Sequence, residues 1–192
     1  MTASILAGGL SRRMGTNKAL IEINGETIIG RAVNLLKMEF NEVNIIANDP
    51  LAYESLSVRV YADIIKGAGS LGGIYTALFH ARSDYVFVVA CDMPFLSVPV
   101  IKKMIKALDN SDAIVPFIGG RRHPLHAVYS KRCMKTIAAM IEDGNLRINS
   151  LLEKIRTKDL SEEVFKGLPV SLSVENVNTK EELTKITENE KT

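Results

Sequence analysis

The run Leu6-Ala7-Gly8-Gly9-Leu10-Ser11-Arg12-Arg13-Met14-Gly15-Thr16-Asn17-Lys18 gathers glycines and cations in one short stretch. It follows Ser4-Ile5-Leu6, an apolar segment that reads as the end of a buried strand. Gly8, Gly9 and Gly15 let the backbone approach a ligand closely, and Arg12, Arg13 and Lys18 put positive charge in the same loop. Backbone N–H groups and cations on a loop leaving a strand are what a polyphosphate needs. The run is not a P-loop, because no Gly-Lys-Ser/Thr closes it, and G-x-G-x-x-G is absent too. The plain alternative is a glycine-rich surface turn with solvated charges. That alternative gives no reason for Arg-Met-Gly and Lys to stand at these offsets.

Asp92 is the second residue that could do chemistry. It emerges from Tyr85-Val86-Phe87-Val88-Val89-Ala90-Cys91 and is followed by Met93-Pro94. A carboxylate leaving an apolar strand is costly to bury unless it meets a cation. Mg²⁺ prefers carboxylate oxygen and shares itself with substrate phosphates. Alternatively Asp92 merely starts a turn or caps the next helix. Small residues in Gly69-Ser70-Leu71-Gly72-Gly73-Ile74 either let a flat ring lie close to the backbone or simply begin a helix. Arg121-Arg122-His123-Pro124-Leu125-His126 either contacts an anionic second substrate or is a solvated basic turn. A zinc site is rejected there, since Cys133 alone offers too few soft ligands. Asn178, in Asn176-Val177-Asn178-Thr179, either faces a metal or merely precedes a capped helix.

These residues need elements to hold them. Apolar spacing predicts a helix from Thr27 to Met38, with Ile28, Ile29, Ala32, Val33, Leu35 and Leu36 inward. Val43–Ala47 is a β-branched run, and Val58 and Val60 alternate with polar residues before Asp63. A helix is expected from Gly72 to Ala81. Tyr85–Cys91 is apolar without alternation, as in a strand covered on both faces. Ser97 reads as an N-cap with Pro99 in the first turn. Strands are expected at Ala113–Pro116, Leu125–Tyr129 and Val170–Val174. A helix from Ser130 to Ile141 should end at Gly144, and Thr179-Lys180-Glu181-Glu182 reads as a capping box. One domain is expected over residues 1–187, with a frayed polar tail at 188–192.

Alternation of this kind predicts an α/β fold with a mostly parallel sheet and right-handed crossovers. Ligands of such sheets bind beyond the carboxyl ends of the strands. The glycine-rich loop, Asn48, Asp63 and Asp92 each follow a predicted strand. They point to one site.

The composition bounds the rest. The 192 residues are 46% hydrophobic and 24% charged, with a formal net charge of +2. That is ordinary for a globular chain and too little charge to argue for nucleic acid or a membrane surface as partner. Cys91 and Cys133, the only cysteines, do not make a disulfide framework. Cys91 reads as a small buried hydrophobe. A reducing, cytoplasmic setting is expected, with no signal peptide and no apolar run long enough for a membrane span.

The form L-A-G-G-x-S-x-R-M-G-x-x-K resembles the signature of the nucleotidyltransferases, and its Ala-Gly-Gly variant looks most like the molybdenum cofactor guanylyltransferase family. The run Cys91-Asp92-Met93-Pro94 resembles that family's C-D-x-P segment, whose Asp holds Mg²⁺. Gly69–Ile74 resembles its G-P-L-x-G-I segment, with Ser70 in place of Pro. His123–Tyr129 resembles H/Q-P-L-H-A-L-Y, and Asn176–Thr179 resembles N-x-N-T. The resemblance implies a Rossmann-like three-layer α/β/α sandwich. It implies transfer of GMP from GTP to the phosphate of molybdenum-bound molybdopterin, with Mg²⁺ as cofactor. It implies that Arg13 and Lys18 neutralise the triphosphate and that Asp92 carries Mg²⁺, with Asn178 as second ligand. Leu6, Ala7, Gly8, Gly9 and Gly72 would offer backbone to the nucleotide, and Asn48 and Asp63 would orient base or ribose. Molybdoenzymes or other cofactor-biosynthesis proteins are the implied partners. Cytidylyl transfer to the same pterin is the alternative activity, and a non-catalytic GTP-binding delivery adaptor is the alternative role.

Overall fold

In the computed structural model the described residues are 1–8, 18–23 and 25–177. The strands are β1 (Thr2–Leu6), β2 (Glu22–Ile23), β3 (Glu26–Thr27), β4 (Glu42–Ile46), β5 (Arg59–Tyr61), β6 (Tyr85–Ala90), β7 (Ala113–Ile118), β8 (Arg121–Arg122), β9 (His126–Ser130) and β10 (Thr157–Ser161). The α-helices are α1 (Ile28–Lys37), α2 (Gly69–His80), α3 (Val98–Lys106), α4 (Met134–Glu142), α5 (Ile148–Lys154) and α6 (Val170–Ser173). The main sheet has the order β10-β7-β9-β6-β1-β4-β5, with β8 paired to β7. β1, β4, β5 and β6 run parallel, as do β7 and β10; β9 is antiparallel to both β6 and β7. The mostly parallel α/β sheet is as predicted, with one reversed strand at its centre.

Helices cover both faces. Ile29, Ala32, Val33 and Leu36 of α1 and Val100, Ile101 and Met104 of α3 pack on Ala3, Ile5, Ile45, Phe87 and Val89. On the opposite face Leu71, Ile74, Ala77 and Leu78 of α2 and Ile137 and Met140 of α4 pack on Leu6, Ile46, Val86 and Val88. β6 therefore buries alternate residues in two different cores, which is why its sequence shows no alternation. No described helix is long and apolar enough to cross a membrane.

Several predicted elements form where their chemistry demands. The Thr27 hydroxyl caps α1 by accepting from the Gly30 N–H at 3.1 Å. Gly144, at φ 71°, ends α4 in the left-handed conformation. Others differ. Val170–Val174 is not a strand: the Val174 N–H donates to the Val170 carbonyl at 3.1 Å, closing a helical turn. Val170, Ser173 and Val174 are its buried residues, spaced i, i+3, i+4, and this period overrides the alternation. Ser97 stands at the N-cap of α3 without a side-chain capping bond. The segment at Gly69–Ile74, expected just before a helix, forms the first turns of α2 itself. α5 and β10 have no counterpart among the elements that the sequence pattern predicts. The proposed capping box at 179–182 and the tail at 188–192 lie outside the described residues.

Candidate active site

The parallel strands end level with one another. Leu6 is in register with Ile46 on one side and Ala90 on the other, and Ile46 with Tyr61. The ladder runs one residue further: Ala7 N–H donates to the Ile46 carbonyl at 2.9 Å, Ala47 N–H to Tyr61 at 2.9 Å and Cys91 N–H to Leu6 at 3.1 Å. Gly8, Asn48, Asp63 and Asp92 all leave the sheet just beyond these bonds, at one edge. The convergence expected from the strand-end pattern is therefore real for these residues.

Asn48 and Asp63 form a unit. Asn48 Nδ2 donates to Asp63 Oδ2 at 2.8 Å, and the Asp63 N–H donates to Asn48 Oδ1 at 3.1 Å. Gly8 lies beside them, since a Cβ built on it would stand 3.6 Å from Asp63 Oδ2. That is ordinary contact distance, so the start of the glycine-rich loop and the Asp63 carboxylate are neighbours.

α2 holds the loop that carries Asp63. Thr76 Oγ1 accepts from the Ile64 N–H at 3.1 Å and donates to the Gly72 carbonyl at 2.9 Å. A Cβ on Gly72 would stand 2.8 Å from Ala68 Cβ and 3.1 Å from the Ile65 carbonyl. The close approach that requires glycine here is to the chain's own loop. Gly73 does the same for the sheet: its Cβ would come 3.2 Å from Leu6 Cδ1, at the end of β1. Thr76 and Gly73 carry no signal separable from ordinary helix composition.

Asp92 is half-buried, in the turn that follows β6, with Met93, Pro94 and Leu96 buried after it. Its carbonyl accepts from the Val177 N–H at 2.8 Å. Among the described residues no group of three or more His, Cys, Asp or Glu comes together to hold a metal. The donor that Asp92 offers is a hard carboxylate, which suits a cation that takes other ligands from phosphates and water. Lys18 lies in a short 3-10 turn, Lys18–Leu20. Arg13, Gly9 and Asn178 lie outside the described residues.

The basic segment is corrected most. His126 is fully buried, edge-on to Phe87 at 5.2 Å between ring centroids, with Nε2 3.0 Å from Ser173 Oγ. It cannot contact substrate. Burial pulls its pKa down to about 4, so it is neutral. His123 is also buried, with Nε2 3.2 Å from the Ile118 carbonyl. Burial lowers its pKa, against hydrogen bonds to the Ile118 and Val174 backbone. Arg122 is held by Asp159 through Nε at 2.8 Å and Nη2 at 2.7 Å. Arg121 is exposed at the β7–β8 hairpin, whose tip is Gly119-Gly120 with φ of 59° and 71°. Cys133 is buried, which pushes its thiol up to about 12. Cys91 is only half-buried, because it is the residue at which β6 leaves the sheet.

Gly8, Asn48, Asp63 and Asp92 thus share one edge of the sheet. A family model described as the MobA-like NTP transferase domain matches residues 3–159. A protein of Desulfosudis oleivorans named molybdenum cofactor guanylyltransferase is 39% identical over 188 residues, covering 96% of this chain and 93% of that protein. The crystal structure of molybdopterin-guanine dinucleotide biosynthesis protein A from Archaeoglobus fulgidus aligns with a TM-score of 0.81 at 27% identity, over 96% of each chain. A solved structure from Aquifex aeolicus aligns with a TM-score of 0.78 at 32% identity, covering 93% of this chain and 94% of that one. With a nucleotidyltransferase sheet and a match over most of its length, the chain belongs to the MobA-like NTP transferase family.

Proposed function

We propose that this protein transfers GMP from GTP to the terminal phosphate of molybdenum-bound molybdopterin, releasing pyrophosphate. The observation that carries the reading is the shared edge at which Gly8, Asn48, Asp63 and Asp92 leave four parallel strands in register. The guanylyltransferase names of the relatives support the choice of substrates. In the reaction an oxygen of the pterin phosphate forms a bond to the α-phosphorus of GTP. The bond from that phosphorus to the bridging oxygen breaks, and its electron pair leaves with pyrophosphate. The attacking oxygen is already anionic, so no general base is required. The protein's work is alignment and charge neutralisation.

The residues divide that work. Gly8 and Gly9, with the Ala7 carbonyl, offer backbone groups to the nucleotide, while the Leu6 carbonyl and the Ala7 N–H anchor that loop in the sheet; Arg13 and Lys18 neutralise the triphosphate and the leaving pyrophosphate. Asp63, held by Asn48, orients base or ribose. Gly72 acts indirectly, by letting α2 pack tightly on the Asp63 loop. Asp92, with Asn178 as second ligand, is the group that would hold Mg²⁺. When bound, Mg²⁺ supplies Lewis-acid stabilisation of phosphate oxygens. A cytoplasmic setting fits the two cysteines, which form no disulfide.

Competition between GTP and CTP at equal concentration, with molybdopterin limiting, tests the reading. Guanine's N–H edge and O6 cannot both be matched by cytosine, and each buried group left unpaired costs about 1–3 kcal/mol. Two mismatches give discrimination on the order of a hundredfold. A product with as much cytosine as guanine dinucleotide would replace guanylyl with cytidylyl transfer. No dinucleotide with either substrate would leave a binding role only.

A further inference from the structure

Residues 170–177 lie across the loop that carries Asp92 and touch it at both ends. At one end the Val177 N–H donates to the Asp92 carbonyl at 2.8 Å. At the other the Ser97 N–H donates to Ser173 Oγ at 3.1 Å. The strap is fixed in turn by the sheet. His126 Nε2 lies 3.0 Å from the same Ser173 Oγ. Val170, Val174 and Val177 are buried beside these contacts. α6 is a single turn (Val170–Ser173), too short to hold its own shape, so its place is set by what it touches. A serine hydroxyl that accepts from Ser97 still has a proton to give and a lone pair to offer, so it can join both neighbours at once.

We propose that Ser173 and His126 are positioning residues for Asp92. They pin the strap to β9, and the strap pins both ends of the loop over residues 92–97. The backbone that aims the Asp92 carboxylate is thereby fixed without any group of the clamp reaching the substrate. A neutral imidazole suits this task, because a charged one at this depth would face Phe87 rather than a carboxylate. The proposal rests on the reading of Asp92 as the ligand of a phosphate-bound divalent cation.

The test is Ser173→Ala, with Mn²⁺ binding in the presence of GTP followed by electron paramagnetic resonance, alongside kcat and KM for GTP at saturating metal. Ser173→Thr keeps the oxygen, and Ile137→Ala on the opposite face of the sheet supplies a destabilised control that leaves the strap intact. A displaced ligand group costs about ten- to a hundredfold in rate. Ser173→Ala should therefore lose that much in kcat and weaken Mn²⁺ about tenfold, with KM for GTP unchanged. Ser173→Thr should restore both, and Ile137→Ala should lower only the thermal midpoint. If Ser173→Ala does not fold, Ser173→Cys is measured for the same effects. Unaltered metal binding in the folded Ser173 variant, or equal weakening in Ile137→Ala, overturns the clamp alone. Wild-type protein that binds no Mn²⁺ with GTP overturns the reading of Asp92 and the clamp with it.

Discussion

Acid should destabilise this fold through His126, by an amount that follows from its burial. The imidazole is fully buried against Phe87 and Ser173, and its pKa falls to about 4. In the unfolded chain it returns to about 6.5. Between those values the unfolded state binds more protons than the folded one. Stability is therefore complete above about pH 6.5 and is lost as pH falls towards 4. Linkage gives a loss of about 2.5 kcal/mol between about pH 7.5 and 4.5 from this residue alone. With a urea m-value of about 2.5 kcal/mol/M the midpoint shifts by about 1 M. Half-buried carboxylates add to the acid effect: Arg156 and Arg132 hold Asp112 well below the usual carboxylate range. The measurement is thus a difference. Urea unfolding of wild type and His126→Gln is compared across pH, since Gln stays neutral throughout. The wild type should lose stability more steeply below about pH 6.5, by about 2.5 kcal/mol at pH 4.5. Parallel curves for the two proteins would refute the claim that a neutral imidazole is buried here.

Further outcomes follow from the site. Asp92→Asn should leave the circular dichroism spectrum intact and lower GMP transfer by at least about a hundredfold, the scale of losing one charge-stabilising group; full activity with Mg²⁺ would end the metal assignment. Lys18→Ala and Arg13→Ala should each weaken GTP binding about ten- to a hundredfold by calorimetry, as for a lost charge-assisted hydrogen bond. Gly72→Ala places a Cβ 2.8 Å from Ala68 Cβ and 3.1 Å from the Ile65 carbonyl. It should cost about 1–3 kcal/mol of stability by overpacking and weaken GTP binding by shifting the Asp63 loop, both readable in one thermal-shift titration.

Much of the fold was legible because its signals are local. Thr27 caps a helix whose apolar residues recur at helical spacing, and β6 is apolar throughout because both of its faces are covered. The shared edge of Gly8, Asn48, Asp63 and Asp92 was legible as a set of strand ends. What escaped the sequence depends on distant partners. β10 has the sequence Thr-Lys-Asp-Leu-Ser, buries Leu160 among mostly polar residues, and is a strand because β7 offers it a parallel edge. The turn at Val170–Ser173 alternates like a strand in sequence. It is helical because Val170, Ser173 and Val174 must all face inward. Gly72 packs closely on Ala68 and Ile65, a contact that the glycine spacing alone does not show.

The reversed strand explains why the basic segment begins at the edge where the parallel strands end while its histidines are buried. β9 runs against β6, so its beginning lies where the parallel strands end. Residues just before it, such as Leu125, reach the edge: the Leu125 carbonyl accepts from Ala90 N–H at 2.9 Å. His126 is one step further in, opposite Val89. Strand parity then decides its role. His126 shares a face with Val128, and that face is the one filled by Phe87, Val89 and the α1 and α3 residues. Its ring is thus directed into that core, towards Phe87 and Ser173. A shift of one residue in register would have turned the same histidine to the opposite face. Motif spacing fixes neither register nor parity, so a histidine one residue in from the sheet edge is equally compatible with contacting a ligand and with bracing a loop beside it. Here full burial of the ring excludes ligand contact, and its 3.0 Å contact to Ser173 supports the bracing proposed above.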